Sequence, residues 1–244
     1  MRRTFIFCFG LGLLLSASSA WSASRDFLWN RVHNECEPAY VNNDNYAPCT
    51  LVDKDDNYVI YKVDNDKYQY LLLPTDKVTG VEDKSLLKDD AKNYFFFAWN
   101  VKELVSEKLD RKIKEKNISM TINPVNGRSQ DQLHIHISCL APYVREAVDK
   151  LDLSTFDESW HPFPVPLKGH NYNFKKLSLS QFKHGNIFRI VNDKAISDKK
   201  EMQYTTIALL NVGIDKFLLL ESSGSVGNAV SAETLQDHSC SLAE

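Results

Sequence analysis

The run Gln132-Leu133-His134-Ile135-His136-Ile137-Ser138-Cys139 alternates polar and apolar residues at every position, and it constrains the chain more than any other stretch. Successive side chains of a strand point to opposite faces, whereas a helix would scatter this pattern around its circumference. Leu133, Ile135, Ile137 and Cys139 therefore face one side, expected to be the core. Gln132, His134, His136 and Ser138 face the other, with two imidazoles side by side on one surface. A strand needs partners, and the neighbouring sequence supplies them. "ISMTIN" (118–123) reads as a second strand, joined to the first by the turn "PVNGRS". "YVIYKV" (58–63) and "YQYLLLP" (68–74) form another hairpin pair around "DNDK", and "YTTIALL" and "KFLLLE" are two late strands. Helical spacing of Phe97, Val101, Leu104, Val105 and Leu109 predicts one long helix over 90–114, with Asp89 and Asp90 at its start and basic residues at its end. Shorter helices are expected over 26–35 and, opened by a proline, over 142–151. Segments 38–56 and 160–170, rich in Asn, Asp or Pro, read as loop or irregular. Hairpins with few crossovers give an α+β fold: an antiparallel sheet with a long packed helix.

The N-terminus sets the compartment. Arg2 and Arg3 precede an eleven-residue apolar run, Phe5 to Leu15, and Ser18-Ser19-Ala20 offers a small-residue cleavage site. Residues 1–23 therefore read as a signal peptide or an N-terminal membrane anchor, with 24–244 as a single domain. Cys8 lies in that leader. Cys36, Cys49, Cys139 and Cys240 remain, an even set with three pairings open and no zinc-type spacing. In an oxidising compartment they read as disulfides. A net charge of −3 over 244 residues gives no broad basic field, which argues against nucleic acid as a partner.

Three readings of the His134/His136 pair stand on spacing alone. It is the polar face of a half-exposed strand, or half of a metal site completed by His161, His170 or His238, or a nucleophile with a helper. The residues just before the strand favour the third. "INPVNGRSQ" sets Gly127 in a turn with Arg128, Ser129 and Gln130, and such a turn aims backbone N–H groups at an anion. A phosphate held there would lie beside His134. The helix segment "YFFFAW" (94–99) reads as core packing; Trp160 and Phe163 read the same way, and Lys168, His170 and His238 as structural or surface residues.

Asn123, Gly127, Ser129 and "QLHIHIS" resemble the signature of the histidine triad superfamily of nucleotide hydrolases and transferases. A closer resemblance runs from about Glu35 to Cys240. "NECEP", "APC", "YQYLLLPT", "FFFAW", "INPVNGRSQ", "HIHISC", "APYVRE", "LKGHNY" and "QDHSC", in that order, are similar to the CDP-diacylglycerol pyrophosphatase family of the bacterial envelope. The resemblance implies a histidine triad-like fold and hydrolysis of CDP-diacylglycerol to CMP and phosphatidate, with no cofactor and no metal. By position, His134 is the attacking histidine, His136 its positioning or acid–base partner, and Ser129 a phosphate contact. Asn123, Gly127, Arg128 and Gln130 fall among the substrate-binding positions, Arg128 adding charge for a pyrophosphate. The first histidine of the triad is replaced by Gln132, whose backbone carbonyl can still orient the His134 ring. An envelope binding module without turnover, or a metal-dependent phosphoesterase using His134 and His136 as ligands, is the alternative. The substrate's acyl chains imply work at the membrane surface, on the periplasmic face of the inner membrane or in the periplasm after cleavage. Pairs Cys36–Cys49 and Cys139–Cys240 are expected, the first closing a short loop without apolar residues, the second pinning the C-terminal tail to the end of the histidine strand.

Overall fold

A computed structural model of the chain describes residues 24–43 and 45–244. The leader reading of residues 1–23 lies outside them. Among the described residues no helix is long and apolar enough to cross a membrane.

The described chain opens with helix α1 (Phe27–Asn30), which passes through a π-helical turn, Arg31–Cys36, into α2 (Glu37–Asn43). The widened turn ends two residues before Pro38, which has no N–H to donate and whose ring crowds the turn before it. Strands β1 (Leu51–Asp53), β2 (Tyr58–Lys62) and β3 (Tyr70–Pro74) follow as a meander. The segment expected to be loop over 38–56 thus contains the end of a helix and a short edge strand. Cys36 and Cys49 are joined, Cα atoms 5.6 Å apart, across a separation of 13 residues, which ties the helix back to the strand that follows.

The predicted long helix is two: α3 (Tyr94–Asn100) and α4 (Glu103–Leu109). It starts later than its acidic residues suggest, because Asn93 is the N-cap, its side chain accepting from the Phe96 N–H. It breaks at Val101, where N–H groups of Lys102 and Leu104 reach back only three residues, to Trp99 and Val101. Asp110 ends α4 in a left-handed conformation, φ 55°. The break lets Trp99 meet Phe217 edge-on at 5.1 Å while Val105 stays fully buried.

Strands β4 (Ile118–Ile122) and β5 (Ile135–Cys139) pair antiparallel, as the hairpin reading requires, and α5 (Pro142–Asp149) begins at its proline. The region expected to be irregular holds a short strand, β6 (Trp160–Pro162), paired to β7 (Asn173–Ser178). Helices α6 (Leu179–His184) and α7 (Ile187–Ser197) lead to β8 (Thr205–Gly213) and β9 (Lys216–Ser223). All nine strands of the described residues join one sheet in the order β1-β2-β3-β5-β4-β8-β9-β7-β6. Every pairing in it is antiparallel, so the architecture is α+β.

Both faces of the sheet are covered. On one, Ile60, Leu72, Ile135, Ile137, Met120 and Leu219 pack with α3, α4, α6 and α7 into the main core. On the other are two separate apolar clusters. The N-terminal helix lays Leu28, Val32 and Cys36 on β2 and β3, and α5 lays Val144 and Val148 on β8 and β9. The row of cross-strand partners Tyr61, Leu71, His136, Thr121 and Ala208 runs from one cluster to the other. The strand expected from Gln132 begins only at Ile135, so His134 lies just before it. From Ile135 to Cys139 the alternation is as expected, but the polar face does not meet open water. His134 and His136 are buried in the gap between two apolar patches, 7% and 6% exposed.

Candidate active site

The gap is a cleft of about 410 Å³ at the end of β5, lined by Asn123, Gly127, Arg128, Ser129, Gln130, His134 and His136. All seven residues singled out in the sequence thus come together. Phe27, Leu28, Tyr61, Val63 and Leu71 add an apolar part to its lining. A cleft of this size with an apolar part and a few convergent polar groups suits a small ligand or the head of a larger one.

His134 is fixed by a single contact. Its Nδ1 lies 2.6 Å from the backbone carbonyl of Gln132. A carbonyl can only accept, so Nδ1 carries the proton and donates, leaving a lone pair on Nε2. Burial, and then the charge of His136, push the His134 ring down to about 3, against the opposing pull of the Gln132 carbonyl. The ring is therefore neutral, with a free nucleophilic nitrogen, across the physiological range. The Gln132 side chain is elsewhere, its amide donating to the carbonyls of Pro74 and Asp76.

His136 meets Glu233, a residue the sequence reading did not single out. Its ring centroid is 4.9 Å from that of His134, the planes inclined at 65°. Its Nδ1 stands 3.3 Å from Glu233 Oε1, out of line for a full hydrogen bond. Neither ring nitrogen has a hydrogen-bond partner among the described residues. Glu233 accepts from Asn123 Nδ2 at 2.8 Å and from Gln69 Nε2 at 3.1 Å. Burial disfavours its charge, but the contact and charge of His136 and these two donors outweigh it and hold the carboxyl far below the usual range. Asn123 is held in turn, its Oδ1 accepting from Ser231 Oγ and from the Glu233 N–H. Its role is thus to position Glu233 rather than to face the cleft alone.

The turn before the strand is rigid for reasons of its own. Gly127 donates its N–H to the Pro124 carbonyl, and a Cβ there would stand 3.0 Å from the Pro124 ring. The Arg128 guanidinium is 2% exposed and engages both oxygens of Glu82, at 2.6 and 2.9 Å, and Asp131 at 3.2 Å. Gly80 leaves room for it, since a Cβ at that position would come within 2.3 Å. Arg128 is thus a strut of the turn, and its charge is already paired rather than free for a pyrophosphate. Gln130 accepts from the Leu28 N–H, tying the apolar lining to the turn. Within Gly127–Gln130, Ser129 alone is exposed, and it lines the cleft. The N–H groups of Arg128, Ser129 and Gln130 find no acceptor among the described residues.

The remaining histidines have other partners. His238 Nδ1 is 2.5 Å from Asp66, His161 Nε2 is 2.8 Å from Asp157, and the backbone of His170 pairs with Leu167. Among the described residues no three His, Cys, Asp or Glu side chains are grouped to hold a metal ion. Trp160 packs against the main core and Phe163 in the α5 cluster, as packing residues do. Lys168 lies over the Tyr143 ring. Glu233 and Gln69 had no local signature. The one available pointer was topological: Glu233 is seven residues before Cys240, which a disulfide joins to the end of the histidine strand.

Fold and cleft together define an α+β protein with a buried, neutral histidine beside a glycine turn suited to an anion. The chain belongs to the CDP-diacylglycerol pyrophosphatase family, whose model matches residues 23–244. It is 40% identical over 223 residues to the probable CDP-diacylglycerol pyrophosphatase of Mycobacterium leprae, covering 91% of this chain and 83% of that one. It is 41% identical over 220 residues to the CDP-diacylglycerol pyrophosphatase of Mycobacterium bovis, covering 90% and 84%. To that of Yersinia pestis it is 34% identical over 222 residues, covering 90% and 86%.

Proposed function

We propose that the protein is a hydrolase that cleaves the pyrophosphate bond of CDP-diacylglycerol to CMP and phosphatidate, with His134 attacking the nucleotide phosphorus. One observation carries the reading beyond family membership. The 2.6 Å contact of His134 Nδ1 with the Gln132 carbonyl leaves Nε2 unprotonated and sets the ring in a cleft beside unpaired turn N–H groups. In the first step the Nε2 lone pair bonds to phosphorus and the bond to the phosphatidate oxygen breaks. In the second, water displaces the imidazole and CMP leaves. The turn N–H groups and the Ser129 hydroxyl oppose the charge that grows on the phosphoryl oxygens, where each such donor is worth about 2.7–4 kcal/mol of barrier. The purified protein given CDP-diacylglycerol should release CMP, and His134→Ala should lower kcat by roughly 10⁴-fold or more, as loss of a nucleophile acting within a unit does. Retention of more than a small fraction of turnover by His134→Ala removes the nucleophile assignment.

The same reading puts the protein at the outer face of the inner membrane. Two disulfides suit an oxidising compartment. The segment following the leader is fastened at the cleft: Arg25 makes a two-point ion pair with Asp131, at 2.6 and 2.7 Å, and its carbonyl accepts the Asp131 N–H at 2.7 Å. An anchored leader would then hold the cleft near the headgroups, where the pyrophosphate of a lipid substrate lies. N-terminal sequencing and fractionation of the mature protein test this. A chain that begins near Trp21 and fractionates free of membranes removes the anchor.

A further inference from the structure

Among the described residues Glu233 is the one cleft-lining carboxylate paired with an imidazole of the cleft, and its other contacts fix it there. Asn123 and Gln69 hold its two oxygens. Its backbone is bolted to the sheet on both sides: Ala232 donates its N–H to Thr206 Oγ1, and Leu235 accepts from the Ala141 N–H. Gln236 donates to the backbone carbonyl of His136 itself. A half-buried carboxylate with this many donors is ionised, and the ring opposite it is aimed Nδ1 toward the charge, which leaves Nε2 for the cleft. Buried polar nitrogens are ordinarily paired, so an unpaired one beside a ligand-sized cleft marks where a ligand oxygen belongs.

We propose that Glu233 is a positioning residue that holds His136 as the proton donor to the departing phosphatidate oxygen. The assignment rests on His134 as nucleophile, and the chemistry balances. As His134 Nε2 bonds to the nucleotide phosphorus, the bond from phosphorus to the bridging oxygen breaks. That oxygen takes the Nε2 proton of His136, whose charge Glu233 has balanced. Water then adds to the phosphorus and gives its proton to the now neutral His136 Nε2. The nitrogen–phosphorus bond breaks, its electron pair returns to His134, and CMP is released with both histidines restored. Glu233 acts through His136 and itself gives and takes no proton.

Two substrates separate this role from a structural one. CDP-diacylglycerol expels a phosphate-monoester oxygen, which takes a proton near about 6, while the 2,4-dinitrophenyl ester of CMP expels a much weaker base that needs none. Glu233→Gln keeps the size and the hydrogen-bonding reach of the side chain while removing its charge. It should lower kcat on CDP-diacylglycerol by about tenfold or more and kcat on the ester by less than about threefold, because a general acid's usual contribution of about 10²–10⁴ shrinks for a weakly basic leaving oxygen. His136→Ala should show the same pattern, and Glu233→Gln added to His136→Ala should cost nothing further. Equal losses on both substrates, no loss on either, or a full additional loss in the His136→Ala background would each overturn the role of Glu233. His134→Ala read on the ester is a separate arm. If it stays active while Glu233→Gln keeps its leaving-group pattern, the nucleophile reading has failed and the proton-donor assignment has not.

Discussion

At the scale of single residues, the position of a ring nitrogen matters more than the identity of the residue carrying it. His134 is neutral because it is buried beside His136 and donates to a carbonyl, and this has a consequence for pH. Folded, the ring is pushed down to about 3; unfolded, it takes a proton near about 6.5. Above the unfolded value neither state binds the proton and the stability is complete. Between the two values only the unfolded chain binds it, so stability falls as pH drops, by up to about 1.4 kcal/mol per pH unit. Ring-nitrogen NMR should show His134 as the Nδ1-protonated tautomer from pH 8 to about 5, below its reference midpoint. A midpoint near the ordinary histidine value would contradict the buried geometry. Arg128 carries a different expectation. Its guanidinium is paired with Glu82 and Asp131, so Arg128→Gln should act on folding, lowering stability by about 3 kcal/mol in urea titrations, as broken buried pairs do. The figure is at the low end because both carboxylates keep contact with water. Unchanged stability with a raised KM would instead make Arg128 a substrate contact.

At the scale of elements, the C-terminal tail is part of the site. Cys139 is three residues beyond His136, and its bond to Cys240 closes a separation of 101 residues, with Glu233 inside the loop. Chain-entropy reasoning gives about 4.7 kcal/mol for a loop of that size, against about 3 kcal/mol for a short loop such as Cys36–Cys49. A Cys139→Ala/Cys240→Ala double variant should therefore melt well below the parent in a calorimeter and lose more stability than Cys36→Ala/Cys49→Ala. The reverse order would mean that the tail is held by its hydrogen bonds alone. Elements were legible where one period dominated the sequence. The histidine strand, its partner 118–122 and the two late strands show clean alternation or long apolar runs and are found as expected. The long helix was over-read because the apolar spacing continues in phase across Val101, while the break is a matter of backbone hydrogen bonds. Helices α6 and α7, absent from the sequence reading, do carry local start signals. Ser178 and Gln181 form a capping box, and Asn186 caps α7.

At the scale of the whole molecule, the sequence reached one half of the cleft and not the other. His134, His136 and the turn 127–130 are close in sequence, so spacing and resemblance found them together. The apolar lining from Phe27 to Leu71 and the carboxylate from the tail reach the cleft only through the order of nine strands and a disulfide. No local pattern encodes that. Burial of the histidines was likewise invisible, because a polar strand face looks the same whether it meets water or fills a gap between two apolar clusters. The account stands on one chemical claim, that His134 becomes covalently bonded to the nucleotide phosphorus. The direct measurement is rapid quench of the protein with CDP-diacylglycerol labelled in the CMP moiety, followed by peptide mapping. The account predicts an acid-labile, base-stable CMP adduct on the peptide carrying His134, formed within the first turnover and absent from His134→Ala. Wild-type turnover with no adduct at any quench time, or an adduct on a peptide without His134, would contradict it.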